Sequence, residues 1–371
     1  MHVILIFTYG ISLKAWDDSG ILKREIEIYK RLSKDEKIRF TFVTFGDIED
    51  QKYSELFDNL TILPIYKYIN KSKSRILDVI KTAFIAGKVK NILPKKAIIK
   101  TNQLNGAWVG IYMKFIMKYP LYLRTGYNLF EFSVKNKKNT LIKLFHYILT
   151  QVALLVSDIY VVTSKADKEY LKKYFFKANQ ILLIPNWILD IKKNSFENRY
   201  PKKVFSVGRL EKQKNFTSLI KVFTKSDISL DIVGEGSLKS SLKKTAFDSQ
   251  TDLTLMGNLS YEELNKLYLN YRIFILSSFF EGNPKVVLEA FSRGTLVIAK
   301  NNKNTREIIE NNVNGILFDD FKELNSKVNE IISNKTIFEK ITSNAYEKVL
   351  KFNLISTIIN QELDIYKKLN S

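Results

Sequence analysis

The sequence contains no cysteine, which removes disulfides, thiolate metal sites and a cysteine nucleophile together. Such a chain fits a reducing compartment, and a cytoplasmic location is the expectation. Histidine is almost as scarce. Only His2 and His146 occur, too few for a histidine metal centre, and a Ser-His-Asp triad is disfavoured. Six prolines and 14 glycines are spread over 371 residues, with no Pro/Gly tract and no internal repeat. Long hydrophobic runs are also missing. The longest, residues 144–156, spans 13 positions and includes His146 and Gln151. A membrane span needs about 20. The run reads as a buried helix or, alternatively, as one lying in a membrane surface. Residues 2–7 lack a basic lead and run into Tyr9-Gly10, which reads as a buried first strand and not as a signal peptide.

Acidic side chains are under-represented. The chain has 59 Lys and Arg against 38 Asp and Glu, a net +21. Residues 1–185 hold 31 basic and 16 acidic side chains (+15), and residues 186–371 hold 28 and 22 (+6). A basic first half attracts phosphorylated substrates or anionic lipid. A lysine-rich coding habit is the plainer account. Nucleic acid is disfavoured, because Lys outnumbers Arg 49 to 10 and nucleic-acid readers lean on Arg. The strongest membrane-surface candidate is residues 67–96. These read as one basic helix, with Ile76, Leu77, Val79, Ile80 and Phe84 among Lys71, Lys73, Arg75, Lys81, Lys88 and Lys90. A solvated helix with a core-facing stripe fits the same pattern.

The length suits two domains, each with its own core. The most informative stretch is Glu281-Gly282-Asn283-Pro284-Lys285-Val286-Val287-Leu288-Glu289, which follows the apolar run Ile273-Phe274-Ile275-Leu276. It reads as strand, loop and helix, with Asn283 as N-cap and Pro284 at the first helical position. The helix start offers free N–H groups and a positive dipole end. Glu281 lies just before the helix and Glu289 about two turns away. An anion site flanked by carboxylates suits a ligand with phosphates and many hydroxyls.

Glu-x7-Glu with this local pattern resembles the signature of retaining nucleotide-sugar glycosyltransferases of family 4. A second stretch strengthens the likeness. The strand Val204-Phe205-Ser206-Val207-Gly208 is followed by Arg209-Leu210-Glu211-Lys212-Gln213-Lys214-Asn215, similar to the family's Gly-Arg-Leu and Lys-Asn. Arg209 offers a planar fork and Lys214 a point charge, both suited to a diphosphate, and Asn215 can cap the next helix. The resemblance covers residues 204–318 strongly and 1–190 weakly.

The resemblance implies an α/β protein of GT-B architecture: two Rossmann-like domains with parallel sheets facing a central cleft. It implies transfer of a glycosyl group from a nucleotide diphosphate sugar to a saccharide or lipid-linked acceptor, with retention and without a metal or other cofactor. Arg209, Lys214 and the helix tip at Gly282, Asn283, Pro284 and Lys285 would hold the diphosphate. Glu289 would hold ribose hydroxyls, and Glu281 the donor sugar. Gly257, at a strand end, would frame the base. Gly20 would match a first loop near phosphate and acceptor. Nearby Asp17 and Asp18 would reach the acceptor or sugar pocket, or else simply cap a helix start.

Asn102, Arg124 and Tyr127 sit at predicted strand ends of the first domain. Family members commonly carry a histidine at the second of these ends. This chain has Gly126 there, which leaves Arg124, Tyr127 or Asn128 to shape the pocket. The expected boundaries are 1–190, 200–350 with a linker between, and a last helix, 351–371, crossing back to the first domain.

Overall fold

The computed structural model describes residues 1–371, except for the side chain of Asn179. The chain forms two compact units. One comprises Met1–Pro185 together with Ile358–Ser371, and the other Asn186–Thr357.

The first unit is built on seven parallel strands: β1 (His2–Ile6), β2 (Arg39–Thr44), β3 (Leu60–Pro64), β4 (Ile98–Thr101), β5 (Leu121–Thr125), β6 (Ile159–Val162) and β7 (Ile181–Leu183). Their order is β3-β2-β1-β4-β5-β6-β7. Val3, Ile4, Leu5 and Ile6 are wholly buried, as a strand covered on both faces by crossover helices requires. The second unit has six parallel strands: β8 (Tyr200–Val207), β9 (Ser229–Val233), β10 (Leu253–Gly257), β11 (Tyr271–Leu276), β12 (Leu296–Lys300) and β13 (Ile316–Phe318). Their order is β10-β9-β8-β11-β12-β13. Alternate residues feed two cores: Ile273 and Ile275 pack on one side of the sheet, Phe274 and Leu276 on the other. Each unit is thus a Rossmann-like parallel α/β layer. In each, strand order reverses once, between β1 and β4 and between β8 and β11. Such a reversal opens a crevice at the carboxyl ends of the strands.

Residues 67–96 do not form a single helix. They break into Ile65–Tyr68, Arg75–Ala83 and Ile85–Val89. The Asp78 carboxylate accepts the Ser72 N–H at 2.7 Å, pinning the preceding turn, and Ser74 is extended. Residues 144–156 lie in a helix, Thr140–Val156, but it is buried on one side only. His146, Leu149, Thr150, Ala153 and Leu154 face inward, whereas Leu144, Phe145, Ile148, Val152 and Leu155 are exposed. No helix among the described residues is long and apolar enough to cross a membrane.

His146 is buried with Nδ1 lacking a hydrogen-bond partner. Burial first, then the positive charge of Arg75 and Lys138, lowers its pKa to about 4. The folded protein therefore keeps it neutral, while the unfolded chain takes up a proton below about pH 6.5. Stability is lost as pH falls from about 6.5 towards 4, by roughly 1–2 kcal/mol at pH 5. Denaturation midpoints measured across this range for His146→Leu will show that much less slope than the parent.

The first unit is closed by a chain segment distant in sequence. Glu362, on the helix Ile355–Asn370, is wholly buried. It accepts from Lys100 Nζ at 2.7 Å and from Tyr122 Oη at 2.9 Å, with Arg124 Nε 3.9 Å away. Burial holds Lys100 below the ordinary lysine range, against the opposing pull of Glu362.

Candidate functional site

The second unit assembles a site where β8 and β11 part. The turn after β8 runs through Gly208 and Arg209 to Lys214, and the turn after β11 through Ser277 to Glu281. Backbone contacts lace these turns together. Phe279 N–H donates to Gln213 O at 3.0 Å, Gln213 Nε2 to Phe280 O at 2.8 Å, and Ser277 Oγ to Lys214 O at 2.7 Å. Lys214 Nζ and Glu281 Oε1 consequently meet at 2.6 Å, both side chains largely buried. Arg209 is exposed on the same turn.

Two glycines permit this. The Lys214 stem lies over Gly208, where a Cβ would come within 2.8 Å of it. Gly234 has φ +133, and a Cβ there would stand 2.1 Å from Gly208 O. Only glycine tolerates both the dihedral and the approach. Gly234 N–H also donates to Gly257 O at 2.7 Å, which ties the β9 and β10 ends to the β8 turn.

Glu281 leads through the bend at Gly282 and Asn283 into the helix Lys285–Ser292. Pro284, not Asn283, stands at the N-cap position and offers no side-chain cap. The shift of one residue follows from Asn283 being used elsewhere: its carbonyl accepts from Asn186 Nδ2 at 2.7 Å. Lys285 Nζ lies 4.1 Å over the Trp187 ring. Asn215 departs from expectation in a similar way. It precedes its helix in a left-handed backbone (φ 53) and makes no side-chain cap. Ser278 Oγ is buried without a hydrogen-bond partner beside Ser277.

Glu289 is 3% exposed on that helix and accepts from Tyr268 Oη at 3.3 Å. Its charge adds to burial in pushing Tyr261 up to about 12. These two tyrosines escaped sequence reasoning, although their spacing of seven on the helix Tyr261–Asn270 sets them on one face. Arg209, Lys214, Glu281 and the Lys285–Ser292 helix start are thus held on one group of laced turns, with Gly257 tied to them and Glu289 on the same helix.

Asp17 and Asp18 end the short helix Leu13–Asp18. They cap no helix start, because the next helix begins after Ile21 without a side-chain cap. Asp17 accepts from Tyr53 Oη at 2.8 Å. Gly20 turns the chain between those helices with φ +71. Asn102 follows β4, its N–H donating to Ile6 O at 3.0 Å. Arg124 is buried against Glu362, so it belongs to the closing cluster. Tyr127 packs on Phe132, and Asn128 caps the helix Leu129–Lys135 through Glu131 N–H at 2.9 Å. The space beside Gly126 is taken by Gln103. Its Oε1 accepts the Gly126 N–H at 2.8 Å, and its Nε2 would meet a Cβ at 2.9 Å.

The chain is similar to several known proteins. The family described as Glycosyl transferases group 1 matches residues 188–348. A Campylobacter jejuni relative, GalNAc-alpha-(1->4)-GalNAc-alpha-(1->3)-diNAcBac-PP-undecaprenol alpha-1,4-N-acetyl-D-galactosaminyltransferase, is 25% identical over 217 residues, 56% of this chain and 59% of its own. The UDP-Gal:alpha-D-GlcNAc-diphosphoundecaprenol alpha-1,3-galactosyltransferase of Escherichia coli is 25% identical over 261 residues, 61% of this chain and 65% of its own. The matched region therefore spans about three fifths of these relatives. Among solved structures, sucrose-phosphate synthase from Thermosynechococcus elongatus superposes with a TM-score of 0.83 at 18% identity, covering 100% of this chain and 99% of that one. Anabaena HepE, solved with UDP and glucose, gives 0.76 at 17%, covering 99% and 100%. These likenesses establish the fold. The matched segment, residues 188–348, carries both the β8 and the β11 turns, so the part of the chain that is similar to the group 1 glycosyl transferases is the part that holds this site.

Proposed function

We propose that this protein transfers a glycosyl group from a nucleoside diphosphate sugar to a saccharide or lipid-linked acceptor in cell-envelope polysaccharide synthesis. In this reading it retains the anomeric configuration, needs no metal and works at the inner face of the plasma membrane. The observation that carries the reading is the 2.6 Å contact between Lys214 and Glu281 at the strand-order reversal, next to the start of the Lys285–Ser292 helix. The departing diphosphate gains negative charge as its C–O bond breaks. Fixed cations and backbone N–H groups stabilise that charge without reorganising. Lys214 and Arg209 supply the cations, and the helix start supplies the dipole. Buried Glu289 accepts ribose hydroxyls, and Glu281 contacts the donor sugar while aiming the Lys214 ammonium. The new C–O bond forms on the face the phosphate leaves, and a phosphate oxygen takes the acceptor's proton.

The similar Anabaena structure holds UDP, so UDP is the first ligand to test. At 100 times its dissociation constant a ligand stabilises the folded state by about 2.7 kcal/mol. A melting rise of several degrees with UDP or another nucleoside diphosphate, absent in Lys214→Ala, is the expected result. If no nucleoside diphosphate moves the transition, the donor assignment fails. Product analysis without acceptor separates transfer from hydrolysis or epimerisation of the same donor.

A further inference from the structure

The helix Arg75–Ala83 is built inside out. Two of its polar residues, Asp78 and Thr82, point inward, while Arg75 and Lys81 are exposed. Asp78, 1% exposed, accepts from Tyr66 Oη at 2.6 Å, Tyr9 Oη at 3.0 Å and Ser72 N–H. Thr82, also buried, accepts from Trp108 Nε1 at 3.1 Å. Burial alone would raise the Asp78 pKa; those hydrogen bonds and Lys71 outweigh it and hold the carboxyl below its usual range. Its apolar residues point outward, with Ile76 74% exposed and Ile80 and Phe84 beside it. Four hydrogen bonds, one buried and three partly buried, fix this orientation, so it is specified and not a slipped helix.

The outward apolar surface continues across two neighbours. Phe84 meets the half-buried Tyr112 of the helix Ala107–Met117 edge-on at 4.7 Å, and Trp108 of that helix, itself buried, lies beneath Phe145 at 6.1 Å. Phe145 belongs to the exposed stripe of Thr140–Val156, which begins at Leu141, 77% exposed, and repeats at helical spacing through Ile148. A ridge of this kind across three helices marks an interaction surface. Its charge names the occupant. Residues 59–157 hold 17 Lys and Arg, of which Lys100 and Arg124 are buried against Glu362, and two acidic residues. Those two are Asp78 and Glu131, and both are buried. A second copy would present the same positive charge and be repelled. An anionic bilayer supplies apolar depth and negative headgroups together.

We infer that the exposed ridge of Arg75–Ala83, Ala107–Met117 and Thr140–Val156 enters the interface of an anionic lipid bilayer, with the surrounding lysines on the headgroups. This deepens the membrane location proposed above and names the surface that makes it. Sedimentation with phosphatidylcholine vesicles, with and without 30 mol% phosphatidylglycerol, tests it. The parent protein should bind the anionic vesicles at least tenfold more strongly than the neutral ones. Ile76→Ser/Ile80→Ser/Leu141→Ser/Ile148→Ser should lose at least tenfold of that binding, while UDP still raises its melting temperature as in the parent. Absence of binding by the parent overturns the inference, as does undiminished binding by the variant. Lipid-free self-association of the parent that the variant abolishes also overturns it, by giving the ridge to a second copy. The UDP response is a separate readout, so failure on lipid leaves the donor reading standing, and the reverse.

Discussion

Lys214→Ala will lower glycosyl transfer by about two to four orders of magnitude in kcat/KM, while the protein stays folded. Two losses combine in that figure. The ammonium nearest the predicted diphosphate disappears, and Glu281, only 8% exposed, is left without its cation. An uncompensated carboxylate beside a departing anion opposes the reaction. Adding Glu281→Gln removes that carboxylate. If the double variant recovers part of the activity lost by Lys214→Ala, repulsion accounts for that part. If it recovers none, Lys214 acts through the diphosphate alone. Glu289→Ala is expected to cost a similar factor through the ribose. Initial rates with a nucleotide sugar and an acceptor settle the matter. Turnover near that of the parent in Lys214→Ala would remove the charge-stabilisation mechanism altogether.

Glu362→Ala will destabilise the first unit by about 3–5 kcal/mol, the cost of stripping a buried pair of one partner. Lys100, 1% exposed, loses its counter-charge, and Tyr122 loses its acceptor. Nearby Arg124 then adds repulsion where it was previously balanced. Glu362→Gln keeps a hydrogen-bond acceptor and should cost less. Lys100→Met/Glu362→Leu removes the Lys–Glu pair and should regain part of the loss, because an apolar pair carries no desolvation penalty while the buried Arg124 still lacks its counter-charge. Urea unfolding, read from a probe in the first unit, checks the series. An equal midpoint for Glu362→Ala and the parent would show that the contact contributes nothing.

The strands were the most legible part of the sequence. Buried parallel strands are short continuous apolar runs ended by turn residues, as at Ile273 to Leu276 before Ser277. The two charged motifs were legible as a pair, and Lys214 and Glu281, 67 positions apart, meet in space. What stayed hidden depends on tertiary partners. Asn283 looks like a cap until Asn186 is seen holding its carbonyl. Apolar residues around the whole of Thr140–Val156 imply burial, because periodicity cannot show that one side lacks a protein neighbour. The breaks within residues 67–96 come from Asp78 reaching back to Ser72, a bond between residues unremarkable in isolation. Nothing near Glu362 in the sequence signals Lys100, and Gln103 became visible only as the side chain filling the space beside Gly126.

Because Ile358–Ser371 completes a unit begun at Met1, with Asn186–Thr357 between, the first unit is discontinuous in the chain and the second is not. During synthesis Lys100 leaves the ribosome long before Glu362 exists. The second unit, an uninterrupted stretch, can fold while the first still awaits its last helix. The amino-terminal half is therefore translated first yet finished last, and its buried lysine stays hydrated until the closing segment arrives.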